Sequence, residues 1–438
     1  ALKKREKDSM DDAKASPLPP ALQRGPNPFR PGDDPRLDPR LRKFLRGPET
    51  RPGEEPPPDP FAGAPVGDSR EKTIERLKFF DEIFAKGNAS LAGDWKNTEG
   101  IAEPEPVRIP GELGGGGGGE GAGVAVDATV YSPPKGQAIV GTIVFFHGGG
   151  MAVESSHDPS RIRLGKELAR LGVRAVLPEF RNSVNGHVFP AALHDCYTTT
   201  IWAAKTFHAP VVVAGCSGGG NLSIATCLLA KQKNTLHHIM GCFALCPYIN
   251  GAYPCERYPS IAYFADYLCT VSFLADCARI YTADEKDAAS PMAWPSHATV
   301  EDLQGLPPMV IHANELDLLY DEDEEFYRKL LRAGNAARMT VAGGTFHAAD
   351  MLCPGLVEDI AHATRASMVE FVRTLSKKAA AAAEAPGAAA AGPDARNTNA
   401  AAMATWPVSP DSLRLATAAL VGAAAATVAF SAFRRSSR

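Results

Sequence analysis

The sequence predicts an α/β protein, with a mainly parallel sheet covered by helices on both faces. Two observations carry this. Short, almost wholly apolar runs such as Thr142 to Phe146 and Val211 to Ala214 recur along the middle of the chain, and segments with apolar residues at helical spacing separate them. A strand without polar alternation is one buried on both faces, and strand–helix alternation is the pattern of parallel connections. The 45% hydrophobic content of the 438 residues suffices for one large core.

The elements follow in order. Residues 1–65 are rich in Pro and charge and bury too little to offset their ordering entropy, so the segment reads as disordered. Within it, Asp38 to Leu45 is a candidate docking helix. Ile74, Leu77, Phe80, Ile83 and Phe84 recur at helical spacing and predict an amphipathic helix from Arg70 to Phe84. The run Gly114 to Gly119 lies between two extended stretches and reads as an insertion in a hairpin. It lacks the Lys-Ser/Thr that a phosphate loop needs. Strands are then expected at Val124 to Tyr131, Thr142 to Phe146, Arg174 to Leu177, Val211 to Ala214, Phe243 to Leu245, Met309 to His312 and Met339 to Val341. Helices are expected at Pro159 to Leu171, Pro190 to Phe207, Asn221 to Lys231, Glu322 to Ala333 and Val357 to Leu375.

The α/β domain is thus expected over 66–378, followed by an Ala/Gly/Pro-rich linker at 379–412. The segment 413–438 holds an uncharged stretch, Leu415 to Phe433, with Arg414 before it and Arg434, Arg435 and Arg438 after it. It is long enough for a bilayer core of about 30 Å, though largely alanine. It is a candidate C-terminal membrane anchor, and the alternative is an Ala-rich helix that packs on a partner. The expected location is cytoplasmic, with the tail, if inserted, holding the domain on the cytosolic side of an organelle membrane. No signal peptide is visible, and the start at Ala1 leaves a processed form or a lost transit segment open. The net charge of −4 suggests no nucleic-acid partner. The nine cysteines are scattered, several in apolar runs, and none forms a CxxC pair, so they read as reduced, buried thiols.

Four short stretches carry the chemistry, in the order His147-Gly148-Gly149-Gly150, Gly215-Cys216-Ser217-Gly218-Gly219, Asp317 and His347. A serine hydroxyl is a poor nucleophile until a base takes its proton. Gly-x-Ser-x-Gly between a buried strand and a helix is the sharp turn that lifts such a hydroxyl above the sheet edge. The strand Val211 to Ala214 and the helix from Asn221 supply that context for Ser217. At a helix start, the N–H of Gly218 and the helix dipole favour developing negative charge. The bare backbone of Gly148 and Gly149 can approach the same point, and one such donor is worth about 2.7–4 kcal/mol in the transition state. His347, on the loop after Met339 to Val341, is the candidate base. Asp317, just after Met309 to His312, is the candidate acid that orients the imidazole. His312 and His362 lie inside regular elements and read as structural. Glu315, Asp321 and Asp323 compete with Asp317, but their plainer roles are helix N-terminal charge or a solvated face.

These residues resemble the hormone-sensitive-lipase-like branch of the α/β-hydrolases. The resemblance extends to Phe189-Pro190-Ala191-Ala192-Leu193-His194-Asp195, to Gly218-Gly219-Gly220-Asn221-Leu222, to Gly305-Leu306-Pro307-Pro308 and to the run Glu315 to Glu322, and it covers about 70–378. It implies an eight-stranded sheet and a helical cap drawn from about 66–105 and 248–295. It also implies carboxylester hydrolysis through Ser217, His347 and Asp317, with Gly148, Gly149 and Gly218 as oxyanion hole and with no cofactor or metal. Cys216 stands where the branch often has Asp, Gly218 where it usually has Ala, and Ala348 where Gly usually follows the histidine. The elbow should aim Cys216 away from the mouth.

The expected substrate is a small apolar ester. Tyr248, Tyr253, Tyr258, Tyr263, Phe264, Tyr267 and Phe273 suit an apolar acyl group, but most read more simply as cap core. Three alternatives use the same residues or none. An acyltransferase would replace water by another acceptor on the same triad. A non-catalytic binding protein would use the capped pocket, as do the gibberellin receptors, which resemble this branch but lack a working histidine. A structural subunit of a membrane assembly would use the tail.

Overall fold

The computed structural model describes residues 29–47, 64–93, 101, 103–111, 123–153 and 159–384. The candidate membrane anchor at 413–438, residues 385–412 of the expected linker and the glycine run 114–119 lie outside the described residues. Residues 379–384, expected as the start of that linker, are instead the end of a helix from Glu358, because their alanines continue it. Among the described residues no helix is long and apolar enough to cross a membrane.

Eight strands form one sheet: β1 Glu105–Gly111, β2 Gly123–Tyr131, β3 Gly141–Phe146, β4 Val173–Glu179, β5 Val211–Cys216, β6 Ile239–Leu245, β7 Met309–Leu316 and β8 Ala337–Phe346. Their order is β1-β2-β4-β3-β5-β6-β7-β8. The first two pairings, β1 with β2 and β2 with β4, are antiparallel, and β4 through β8 are parallel. This is the mostly parallel eight-stranded sheet expected. The hairpin around the glycine run also holds, with Gly111 opposite Gly123.

The helices are α1 Pro39–Arg46, α2 Arg70–Ala92, α3 Pro159–Arg170, α4 Ala191–Thr206, α5 Gly218–Gln232, α6 Pro259–Tyr263, α7 Val271–Tyr281, α8 Glu285–Ala288, α9 Val300–Leu303, α10 Tyr320–Arg332, α11 Ala349–Leu352 and α12 Glu358–Glu384. The two sheet faces build two cores. Ile143 and Phe145 of β3 pack with Leu164 and Leu168 of α3 and with Phe371 and Val372 of α12. Val144 and Phe146 face the other core, with Leu193 of α4 and Leu222 of α5, and that core runs on to Phe326 of α10 beside β7 and β8. Alternate residues of one apolar strand thus serve opposite faces, which is why β3 carries no polar alternation.

The expectation of a disordered 1–65 does not extend to 29–47. The docking helix forms as α1, with Asp38 as its N-cap and Pro39 at its first turn. Leu37 and Leu41 are fully buried, Phe44 meets Phe346, and the Asp38 N–H donates to the Gly344 carbonyl (2.8 Å). The Tyr267 hydroxyl donates to Asp34 at 2.6 Å, tying the arm to the segment after β6. Few apolar residues are needed because a ready-made surface receives them.

Helices α2 and α7 pack against each other. Arg76 grips Asp276 with two hydrogen bonds of 2.6 and 2.7 Å, and the Phe80 ring meets Phe273 edge-on. Of the aromatic residues from 248 to 273, Tyr248, Tyr258, Phe264 and Tyr267 are buried, as the core reading expects.

Candidate active site

Parallel strands point their carboxyl ends one way, and ligand sites in such sheets form at that edge. Ser217 follows β5, Cys246 follows β6, Asp317 follows β7, His347 follows β8, and the run His147 to Gly150 follows β3. Sheet order therefore gathers residues up to 200 positions apart, and no side chain has to cross the sheet.

Ser217 sits at φ 56° and ψ −117°, a conformation that L residues rarely adopt. The turn is held from both sides: the Ser217 N–H donates to the Leu245 carbonyl (2.8 Å) and its own carbonyl accepts from Asn221 and Tyr248. The flanking glycines are sterically required. A Cβ on Gly215 would lie 2.3 Å from the Gly219 carbonyl oxygen, and one on Gly219 would lie 2.0 Å from that of Phe146. Strain at one residue persists because its surroundings over-determine it.

His347 Nε2 lies 3.0 Å from Ser217 Oγ, and His347 Nδ1 lies 2.8 Å from Asp317 Oδ2. A carboxylate accepts, so Nδ1 carries the proton and Nε2 is left to accept from the serine hydroxyl. Asp317 is fully buried, and its other oxygen accepts from the Leu319 N–H at 2.9 Å. Burial alone would lower the His347 pKa. The adjacent Asp317 and Cys246 together outweigh it and hold the imidazole well above its ordinary value.

The glycine run meets Ser217 closely. A Cβ on Gly148 would stand 3.6 Å from the Ser217 Cβ, and Gly149 and Gly150 adopt φ of +97° and +63°. Gly218 is packed tightly rather than loosely: a Cβ there would lie 2.7 Å from the Met151 nitrogen and 2.8 Å from that of Gly150. The usual Ala at this place would force the loop outward, which explains the departure. His147 anchors the run. Its ring stacks on Phe180 at 4.0 Å, and its Nδ1 bonds the Gly148 carbonyl at 2.7 Å. Burial and the nearby Arg161 push its pKa down to about 3, so it is a neutral prop.

The competing acids are engaged elsewhere. Glu315 accepts from the Gly344 N–H (2.7 Å) and Asp321 from the Ser260 N–H (2.7 Å). Asp323 is not on a solvated face: it is fully buried, and burial with neighbouring Asp317 pushes its pKa well up. His312 is structural but charge-linked, pairing with Asp350 at 2.9 Å and with Thr340 at 2.9 Å. Asp350 also accepts from Asn314 (3.0 Å), and Asn314 accepts from the Ala348 N–H (3.0 Å), so this network steadies the turn after His347. His362 is exposed on α12. Sequence reasoning missed this network and also Cys246, which lies against the His347 ring.

Residues 143–351 match the family described as alpha/beta hydrolase fold. An arylesterase of Saccharolobus solfataricus is 28% identical over 233 residues, which are 50% of this chain and 71% of that protein. A gibberellin receptor of Arabidopsis thaliana is 24% identical over 229 residues, 50% of this chain and 65% of the receptor. Among solved structures, brefeldin A esterase, a bacterial homologue of human hormone-sensitive lipase, is 29% identical. It superposes with a TM-score of 0.69 over 79% of this chain and 96% of its own.

Proposed function

The chain belongs to the α/β-hydrolase fold family, in its hormone-sensitive-lipase-like carboxylesterase branch, and is an ester-hydrolysing serine hydrolase; we propose that it works through an acyl-enzyme on Ser217. The observation that carries this is the unbroken line from Asp317 through His347 to Ser217, at 2.8 and 3.0 Å.

Ser217 Oγ attacks the ester carbonyl as His347 Nε2 takes its proton. Asp317 keeps the proton on Nδ1 and stabilises the imidazolium. Negative charge on the carbonyl oxygen is met by backbone N–H groups of Gly148, Gly149 and Gly218. Collapse of the intermediate expels the alcohol, which takes the proton from His347. Water then repeats the sequence on the acyl-enzyme and frees the acid. No step needs a metal or cofactor. The segment 248–295, together with α2, forms the cap, and its aromatic core favours a small apolar acyl group.

A short-chain p-nitrophenyl ester tests this. Ser217→Ala should cut kcat on the order of 10⁶-fold with the fold intact. Turnover unchanged in that variant would end the mechanism. The match to a receptor supports a second reading, a capped pocket that binds without turnover. His347, in reach of Ser217, weighs against it, and labelling of Ser217 by a fluorophosphonate separates the two. Product analysis with added alcohol separates hydrolysis from acyl transfer.

A further inference from the structure

The triad has a neighbour that the hydrolytic mechanism does not use. Cys246 follows β6, between the strands that deliver Ser217 and Asp317, and its backbone takes the rare φ of 34°. Its amide N–H donates to the carbonyl of His312, which holds this backbone at the carboxyl edge. The Cys246 Sγ, a ring nitrogen of His347 and a carboxylate oxygen of Asp317 all lie within 4.8 Å of one another, and all three residues are buried. A second thiol is close by, with Cys216 Sγ 3.7 Å from Cys246 Sγ.

Thiolate, imidazole and carboxylate are the donor types that hold zinc, at about 2.3, 2.0–2.1 and 2.0–2.2 Å respectively. Tetrahedral geometry at those lengths sets about 3.8 Å between two sulfurs, about 3.6 Å between sulfur and nitrogen, and about 3.4 Å between nitrogen and oxygen. The donor atoms of Cys246, His347 and Asp317 already lie within 4.8 Å of one another. The His347–Asp317 distance of 2.8 Å would have to open by roughly 0.6 Å, a small rotation of either side chain.

We propose that a thiophilic divalent cation, zinc or its analogue cadmium, binds at Cys246, His347 and Asp317 and reversibly switches the esterase off. Binding forms metal–sulfur, metal–nitrogen and metal–oxygen bonds. The thiol proton leaves to solvent; with Nδ1 as the ligand, its proton moves to Nε2, so the imidazole stays neutral, and no electron moves. With His347 and Asp317 occupied, Ser217 has no base. Ser217 and His347 are 8% and 6% exposed, so the ion enters where the ester does and competes with it. The inhibitory half of this inference rests on the proposed reaction, whereas the binding half does not.

The experiment therefore has two readouts. In the first, zinc is titrated into hydrolysis of a short p-nitrophenyl ester in a weakly chelating buffer, with reversal by EDTA. Cys246→Ser should raise the half-inhibitory zinc concentration about tenfold or more, while Cys255→Ser, away from the cluster, should not. In the second, cadmium is titrated into the inactive Ser217→Ala protein, and the ultraviolet sulfur-to-cadmium charge-transfer band is recorded. One equivalent should produce it, Cys246→Ser should abolish it, and His347→Gln, which leaves both thiols in place, should weaken cadmium binding about tenfold or more. Equal zinc inhibition in Cys246→Ser, a cadmium band that survives that change, or unaltered cadmium affinity in His347→Gln would each overturn the site. A wild-type protein without esterase activity that still gives the band would overturn the reaction and leave the site standing.

Discussion

At the scale of single residues, His347 sets the pH response. Its pKa lies above the ordinary imidazole value of about 6.5 because, against burial, Asp317 and Cys246 together favour the protonated ring. The base must be neutral to act. The acid limb of kcat/KM should therefore fall above pH ~6.5, with activity lost as pH drops through it. Asp317→Asn should shift that limb downward and cut kcat by roughly 10⁴-fold, read from a pH–rate profile of both proteins. An unmoved limb would show that Asp317 does not hold the proton. Gly218→Ala makes a separate prediction. Its Cβ would meet backbone atoms of Gly150 and Met151, which cannot rotate away. The glycine run should be displaced and kcat/KM should drop about 100-fold, the loss of one oxyanion donor, with KM little changed.

Elements explain what single residues do not. Glu322, in the first turn of α10, is fully buried, and burial pushes its pKa up to about 8 despite hydrogen bonds from the Ile249 N–H and the Tyr253 hydroxyl. A carboxyl raised on folding stabilises while it stays protonated, and this is lost as pH rises from about 4.5 through about 8. Glu322→Gln should thus gain in Tm relative to wild type between pH 5 and pH 8.5, and a constant difference across that range would contradict the assignment. The N-terminal arm offers another check. Leu41 is buried against the main core, so Leu41→Asp should free α1 and make residues 29–47 a site of limited proteolysis while the 159–384 core resists.

Across the whole molecule, what was legible in the sequence is what obeys local rules. The apolar runs of β3 and β5, the glycine elbow around Ser217 and the helical spacing of α2 each declare themselves within a dozen residues. Strand ends were less legible. β7 and β8 run on to Leu316 and Phe346, through Asn314, Gly343, Gly344 and Thr345, because neighbouring strands and buried side chains satisfy polar groups that look loop-like in sequence. Features that depend on sheet order were not legible at all. Cys246 meets His347 only because β6 lies between β5 and β7, and Asp323 is buried only because α10 packs its first turn inward. Docking of α1 against Phe346 likewise joins parts of the chain about 300 residues apart, which no local pattern records.

The most direct test is intact-mass spectrometry of protein mixed with a short-chain ester and quenched in acid within one turnover. A mass increase equal to the acyl group, mapped to the peptide carrying Ser217 and missing in Ser217→Ala, is the predicted result. Hydrolysis at full rate with no covalent adduct at any quench time, or an adduct on Cys216 or Cys246 instead, would contradict it.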